Sequence, residues 1–137
     1  MRKIALAPAE PEPLTQADLN LVEAYLDRVF SGLGMDVSFT RHFLDRVNDP
    51  RNKKQITKKE LAQLFAKEYE RYGKTLARLG PDQEALLTDL SSSINTPVAL
   101  RWNRQKQTLE MVAKTVMRKP GFRPNDPSEK HFKVARK

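Results

Sequence analysis

Leu19, Val22, Leu26, Val29, Phe30 and Leu33 recur every three or four residues, the spacing of one helical face. Thr15 and Asp18 frame the start as a variant of the capping box, Leu14 is placed to staple onto Leu19, and Gly32 and Gly34 mark the end. Residues 35–39 then alternate apolar and polar, which predicts a short strand. Thr40 is a candidate N-cap for a second helix reaching Val47, where Asn48-Asp49-Pro50 stops it. Ile56-Thr57-Lys58-Lys59-Glu60-Leu61 carries a full capping box and staple. The helix it opens puts Leu61, Leu64, Phe65 and Tyr72 on one face and is expected to stop near Gly73. A shorter helix is predicted after Pro81, with Leu86, Leu87 and Leu90 facing inward.

Beyond residue 96 the period changes from helical to alternating. Val98, Leu100 and Trp102 share one side of residues 97–102, residues 103–108 are a polar turn, and residues 109–117 alternate again. This pattern predicts an antiparallel hairpin entered at Pro97, where a missing donor costs little. Helices first and a small sheet later give an α+β domain over residues 15–118. Residues 1–14 hold Pro8, Pro11 and Pro13, and residues 119–137 hold Pro120, Pro124 and Pro127. Both read as extended proline-rich arms, the second one basic.

Composition narrows the field without naming a function. With 137 residues, 39% of them hydrophobic and 31% charged, the chain suits one folded, well-solvated domain. No apolar run approaches the ~20 residues of a membrane span, and the amino terminus has too short an apolar stretch for a signal peptide. Cysteine is absent, which excludes disulfides and thiolate metal sites. Two histidines without clustered carboxylates give no metal-ligand spacing, and no cofactor is expected. Phosphate-loop and serine-elbow motifs are missing as well. The net charge of +8 points to nucleic acid, to an acidic protein surface, or to solubility alone.

Candidate chemistry concentrates in two places. His42 and Arg46 lie four apart, on one face of the second predicted helix. An imidazole beside a guanidinium suits RNA cleavage: the ring moves a proton at the 2′-hydroxyl or the leaving oxygen, and the arginine holds charge on the phosphorane. Arg51 adds a possible phosphate contact. The plainer reading has His42 at a strand-to-helix junction and Arg46 paired with Asp45 or Asp49. In the second place, Lys114 and Arg118 share one face of a predicted strand with Val116, a basic rail or a solvated face. Arg41, Arg51, Lys114, Arg118, Lys119 and Arg123 are thus candidates for contact with a polyanion or a partner. Trp102 and the tyrosines of the third helix sit at core-like spacing.

His42-Phe-Leu-Asp-Arg46, Asn48-Asp-Pro-Arg51-Asn52, Ile56-Thr-Lys-Lys-Glu60-Leu61, Asn95-Thr-Pro97 and Lys114-Thr-Val-Met-Arg118-Lys together resemble a family of small uncharacterised proteins of tailed bacteriophages, especially marine and cyanobacterial ones. The resemblance covers roughly residues 37–122 and implies a virion or host-cytoplasm setting, with no activity attached. A looser similarity is to the barnase/RelE-like ribonuclease and toxin superfamily, including BrnT-type toxins. It implies His42, Arg46, Thr115 and Arg118 as site residues. The long helical stretch over residues 58–90 and the lack of a glutamate-histidine pair depart from that pattern.

Two functions follow as expectations. One is a phage structural or interaction module, its arms docking on other virion proteins and its basic body on them or on packaged nucleic acid. The other is a metal-independent ribonuclease or RNA-binding effector. The arms discriminate between them, since a diffusing nuclease has no need of docking arms.

Overall fold

A computed structural model describes residues 11–124, 126 and 129–135. The fold is α+β: helices on one face of a six-stranded mixed sheet. Helix α1 (Gln16–Phe30) begins with the predicted reciprocal cap between Thr15 and Asp18. A short 3-10 turn (Ser31–Leu33) and Gly34, at φ 70°, lead into strand β1 (Met35–Phe39). Helix α2 (Phe43–Val47) and a second 3-10 turn (Pro50–Asn52) precede the long helix α3 (Lys58–Leu79). Then come β2 (Gln83–Asp89), β3 (Ile94–Asn103), β4 (Thr108–Ala113), the short β5 (Met117–Arg118) and β6 (Lys130–Val134).

The sheet order is β1-β4-β3-β2-β6, with β5 on the flank of β3. β1 with β4 and β2 with β6 are parallel, and the central pairs are antiparallel. Leu26, Phe30, Leu61, Leu64 and Phe65 from the helices bury against Val37, Leu87, Val98 and Met111 from the sheet. Edge strand β1 is closed by α1. The Asp27 carboxylate accepts the Val37 amide at 2.8 Å, and Glu23, one helical turn earlier, faces the amide of Phe39. Occupying those edge donors removes a template for pairing with another chain. Burial, followed by mutual repulsion with neighbouring acids, raises the pKa of both carboxyls.

Several sequence expectations need correction. Helix α2 starts at Phe43 rather than after Thr40, whose hydroxyl turns away from the helix to donate to the Lys114 carbonyl at 2.8 Å. Helix α3 runs past Gly73 to Leu79, and Gly80 ends it at φ 77°. Gly73 is there for close packing: a Cβ at this position would stand 3.0 Å from Leu33 Cδ1. The stretch after Pro81 is the strand β2, whose run Ala85–Asp89 is buried because both faces of the strand are covered. Leu90, expected inside, is 56% exposed. Strand β4 ends at Ala113, and Lys114, Thr115 and Val116 form a break before β5, so Lys114 and Arg118 share no strand face.

A further correction concerns the carboxyl-terminal arm. Residues 130–134 are β6, paired in parallel with β2, and Phe132 and Val134 are core residues. The domain therefore does not close at 118. The amino-terminal arm falls mostly outside the described residues. Leu14, at its end, is buried, with its amide and carbonyl both bonded to the Asn48 side chain at 2.9 Å. Trp102, read as core, is 46% exposed. Pro97 lies inside β3, not at its entry. Its carbonyl accepts the Lys114 amide at 3.0 Å, so its missing N–H faces the break between β4 and β5 and no ladder bond is lost.

The second capping box is intact: the Glu60 amide donates to Thr57 Oγ1, and the Thr57 amide donates to Glu60 Oε1, both at 3.1 Å. Thr57→Ala is expected to cost about 1 kcal/mol of stability in urea unfolding, the usual value for a lost N-cap. No helix among the described residues is long and apolar enough to cross a membrane.

Candidate functional site

His42 and Arg46 occupy the first and last turns of α2, and both are exposed. His42 takes the N-cap position with helical φ and ψ, and its side chain makes no capping bond. Arg46 Nη1 lies 3.9 Å from Asp49 Oδ2, a loose contact. Asp49 is more firmly held by Arg51, whose backbone amide, Nε and Nη2 all donate to it. The Arg51 side chain, then its amide, lower the Asp49 carboxyl to about 2. The helix-and-turn segment is therefore knitted internally, with its ring and guanidinium in solvent.

Arg118 is the reverse. Its side chain is 11% exposed and spends all five N–H donors. Nη1 and Nη2 reach the two Glu60 oxygens at 3.1 and 2.8 Å. The remaining donors go to the carbonyls of Lys54, Ser92 and Gln55. Its backbone amide donates to Asn52 Oδ1, and Asn52 Nδ2 donates to the Arg46 and Val47 carbonyls. Arg118 thus pins the loop between α2 and α3 to the β2–β3 turn, and none of its donors is left for a phosphate.

Thr115 lies in the break after β4, its carbonyl accepting Thr96 Oγ1 at 2.6 Å. Lys114 pairs with Glu84 at 3.3 Å. Asn95 is fully buried and donates to the carbonyls of Ser93, Met117 and Lys119. The spaced motifs Asn48 to Asn52, Asn95 to Pro97 and Lys114 to Lys119 meet at one corner, and their polar side chains are mostly spent on loop geometry. Of the four residues nominated for catalysis, the structure leaves His42 and Arg46 in solvent and commits Arg118 elsewhere.

What the sequence reading missed is a local charge excess and a cleft beside it. Residues 41–59 carry seven lysines and arginines against two aspartates, five of the chain's eight net positive charges. Arg41, Lys53 and Lys59 are exposed and make no ion pair among the described residues. Lys53 and Lys54 form one lip of an open cleft of about 1080 Å³. Lys67 and Arg71 of α3 and the Ser91-Ser92-Ser93 turn line its other sides. Within it Lys67 Nζ bonds Asp89 at 2.9 Å, and Ser91 donates to the same carboxylate. Burial would raise the Asp89 carboxyl, but these bonds prevail and lower it. Lys67 and Arg118 are thus neutralised by partners, while Lys53 and Arg71 keep their charge for a ligand. The adjacent Lys53-Lys54 pair was the available signal in the sequence.

The chain matches no family model, no curated protein and no solved structure.

Proposed function

We propose that the chain is a non-enzymatic component of a tailed-bacteriophage particle that docks on packaged nucleic acid through the basic belt of residues 41–59 and the adjoining cleft. The observation that carries this reading is the excess of five positive charges in residues 41–59, of which Lys53 and Lys54 stand on the lip of an open cleft. Lysines and arginines in such a belt neutralise phosphates whatever the sequence, as a packaging contact requires. The phage setting rests on the motif resemblance. Residues 130–134 of the segment expected to dock on other virion proteins are β6 and pack inside the domain, so they are not free to serve as a docking arm.

Arg41→Glu with Lys59→Glu, both exposed and unpaired, is expected to weaken binding to duplex DNA at least tenfold while leaving the unfolding midpoint within a degree or two. Unchanged binding would sink the belt as the docking surface. A second reading, metal-independent RNA cleavage, keeps one favourable observation: His42 and Arg46 stand in solvent at the two ends of one short helix. Under the first reading purified protein leaves a mixed RNA pool intact in EDTA. Cleavage that disappears in folded His42→Ala and Arg46→Ala variants would establish the second reading instead.

A further inference from the structure

A second concave site lies on the sheet face away from the helices. Asp89 points to the helix side, where it meets Lys67 of α3, so its neighbour Thr88 points to the opposite face. In the ladder Thr88 is paired with Asn95, and His131 of β6 reaches it from the adjoining strand. The three side chains make a fixed chain of hydrogen bonds. Asn95 Nδ2 is committed to three main-chain carbonyls, which turns Oδ1 toward Thr88. Thr88 Oγ1 donates to that oxygen at 2.8 Å. The hydroxyl has one proton, so the 2.8 Å contact with His131 Nε2 runs from the ring N–H to the Thr88 oxygen. This fixes the tautomer. Nε2 carries a proton and Nδ1 is the ring atom left for a ligand. It also excludes Thr88 as a nucleophile activated by His131, because its proton goes to Asn95.

These residues form part of the lining of a cavity of about 230 Å³. Residues 119–123 bound it, and the cations lining it are Lys119, Arg123 and Lys133, with no carboxylate among the described lining residues. Leu90 and Phe122 add apolar surface. The volume is several times the ~30 Å³ share of a water molecule. It falls below the ~300–1,000 Å³ of pockets for drug-sized ligands. A small polyvalent anion fits both the size and the charge.

We propose that this cavity binds a single phosphate group, held by Lys119, Arg123 and Lys133, with His131 donating from Nδ1 once protonated. The groups that face the imidazole are Lys133 on its own strand, Arg123 and Lys119 from the crossing segment, and the neutral Thr88 and Asn95 from β2 and β3. Burial first, then the charges of Lys133 and Arg123, depress the imidazole pKa in the empty cavity. A bound phosphate reverses that repulsion, so binding takes up a proton. No residue of the basic belt lines the site, which shares only Ser93 and Pro120 with the larger cleft. Its phosphate comes either from a free phosphate or from the terminal phosphate of a nucleic acid.

The test is an NMR titration of both histidines in the intact chain, with millimolar inorganic phosphate, a short 5′-phosphorylated oligonucleotide and its 5′-hydroxyl counterpart. Inorganic phosphate is expected to raise the His131 midpoint by about one pH unit, equivalent to about tenfold tighter binding by the protonated form. The Nε2 tautomer should persist, and the exposed His42 should move far less. A response shared by the 5′-phosphorylated strand and absent with the 5′-hydroxyl strand assigns the site to nucleic-acid ends. A response to inorganic phosphate alone assigns it to the free anion. Arg123→Glu with Lys133→Glu, both exposed, should abolish the shift in a chain whose amide spectrum is otherwise retained. The proposal is overturned by a stationary His131 midpoint in phosphate, by an equal response to the 5′-hydroxyl strand, or by a shift that survives the charge reversal.

Discussion

Arg118→Ala is expected to destabilise the protein by about 3–5 kcal/mol, the usual effect of breaking a largely buried ion pair from one side. That corresponds to a fall of roughly 10–20 °C in the unfolding midpoint for a chain of this size. The variant strands three carbonyls and leaves the Glu60 carboxylate without its cation. Arg118→Lys should recover less than half the loss, because an ammonium cannot reproduce a planar fork that bonds Glu60 through both terminal nitrogens. The pH dependence adds a sign. Burial pushes the Glu60 carboxyl up, but the Arg118 bonds and the Thr57 amide outweigh it and hold the carboxyl below its ordinary range. A depressed carboxylate stabilises the fold above its unfolded pKa and loses that contribution as pH falls through the folded value. The gap between wild type and Arg118→Ala should therefore narrow in acid, as protonation of Glu60 relieves the unpaired charge. A small, pH-independent effect would show Arg118 to be free for another task, and the catalytic assignment would regain its footing.

Glu68→Met should act in the opposite direction and stabilise the protein. Glu68 is fully buried on the sheet side of α3, and neither of its oxygens has a hydrogen-bond partner. Burial raises its carboxyl to about 9, with the charge of Asp89 adding to the effect and the Thr88 amide offsetting part of it. At neutral pH the folded chain holds a proton that the unfolded chain releases. The unfolded state thus binds fewer protons, and stability falls as pH rises from about 4.3 toward 9, at ~1.4 kcal/mol per unit. The apolar variant escapes this loss. It should exceed wild type by about 5 kcal/mol at pH 8 and by about 1 kcal/mol at pH 5, order-of-magnitude figures from the same slope. Parallel urea-midpoint profiles for the two proteins across that range would contradict a buried, protonated Glu68.

The features legible in the sequence were those fixed by neighbours a few residues away. Thr15 with Asp18 and Thr57 with Glu60 set two helix starts, because a cap is a contact over three residues. Strand β1 and the β3–β4 hairpin followed from alternation. Glu68 could have been noticed, since it falls on the stripe of Leu61, Leu64, Phe65 and Tyr72. The failures lie where tertiary contacts decide. Ala85-Leu86-Leu87 is buried on both faces of a central strand, and such a run reads equally well as helix. Gly73 looked like a stop and is a packing contact. β6 was hidden behind three prolines. Arg118 looked like a catalytic cation because its five acceptors come from residues 26 to 64 positions away. The Thr88–Asn95–His131 chain spans up to 43 residues, and no local pattern marks it.

The same separation explains the functional reading. Most polar residues of the spaced motifs hold the corner together, while the charge available to a partner sits on Arg41, Lys53 and Lys59, which are exposed and make no ion pair among the described residues. A salt titration of duplex DNA binding tests this most directly. If the belt docks on phosphates, the logarithm of the binding constant falls linearly with the logarithm of salt concentration, with a slope of about −4.5 if the five net charges each neutralise one phosphate. Arg41→Glu with Lys59→Glu should flatten that slope. Binding that is absent, or unaffected by salt, would contradict the account.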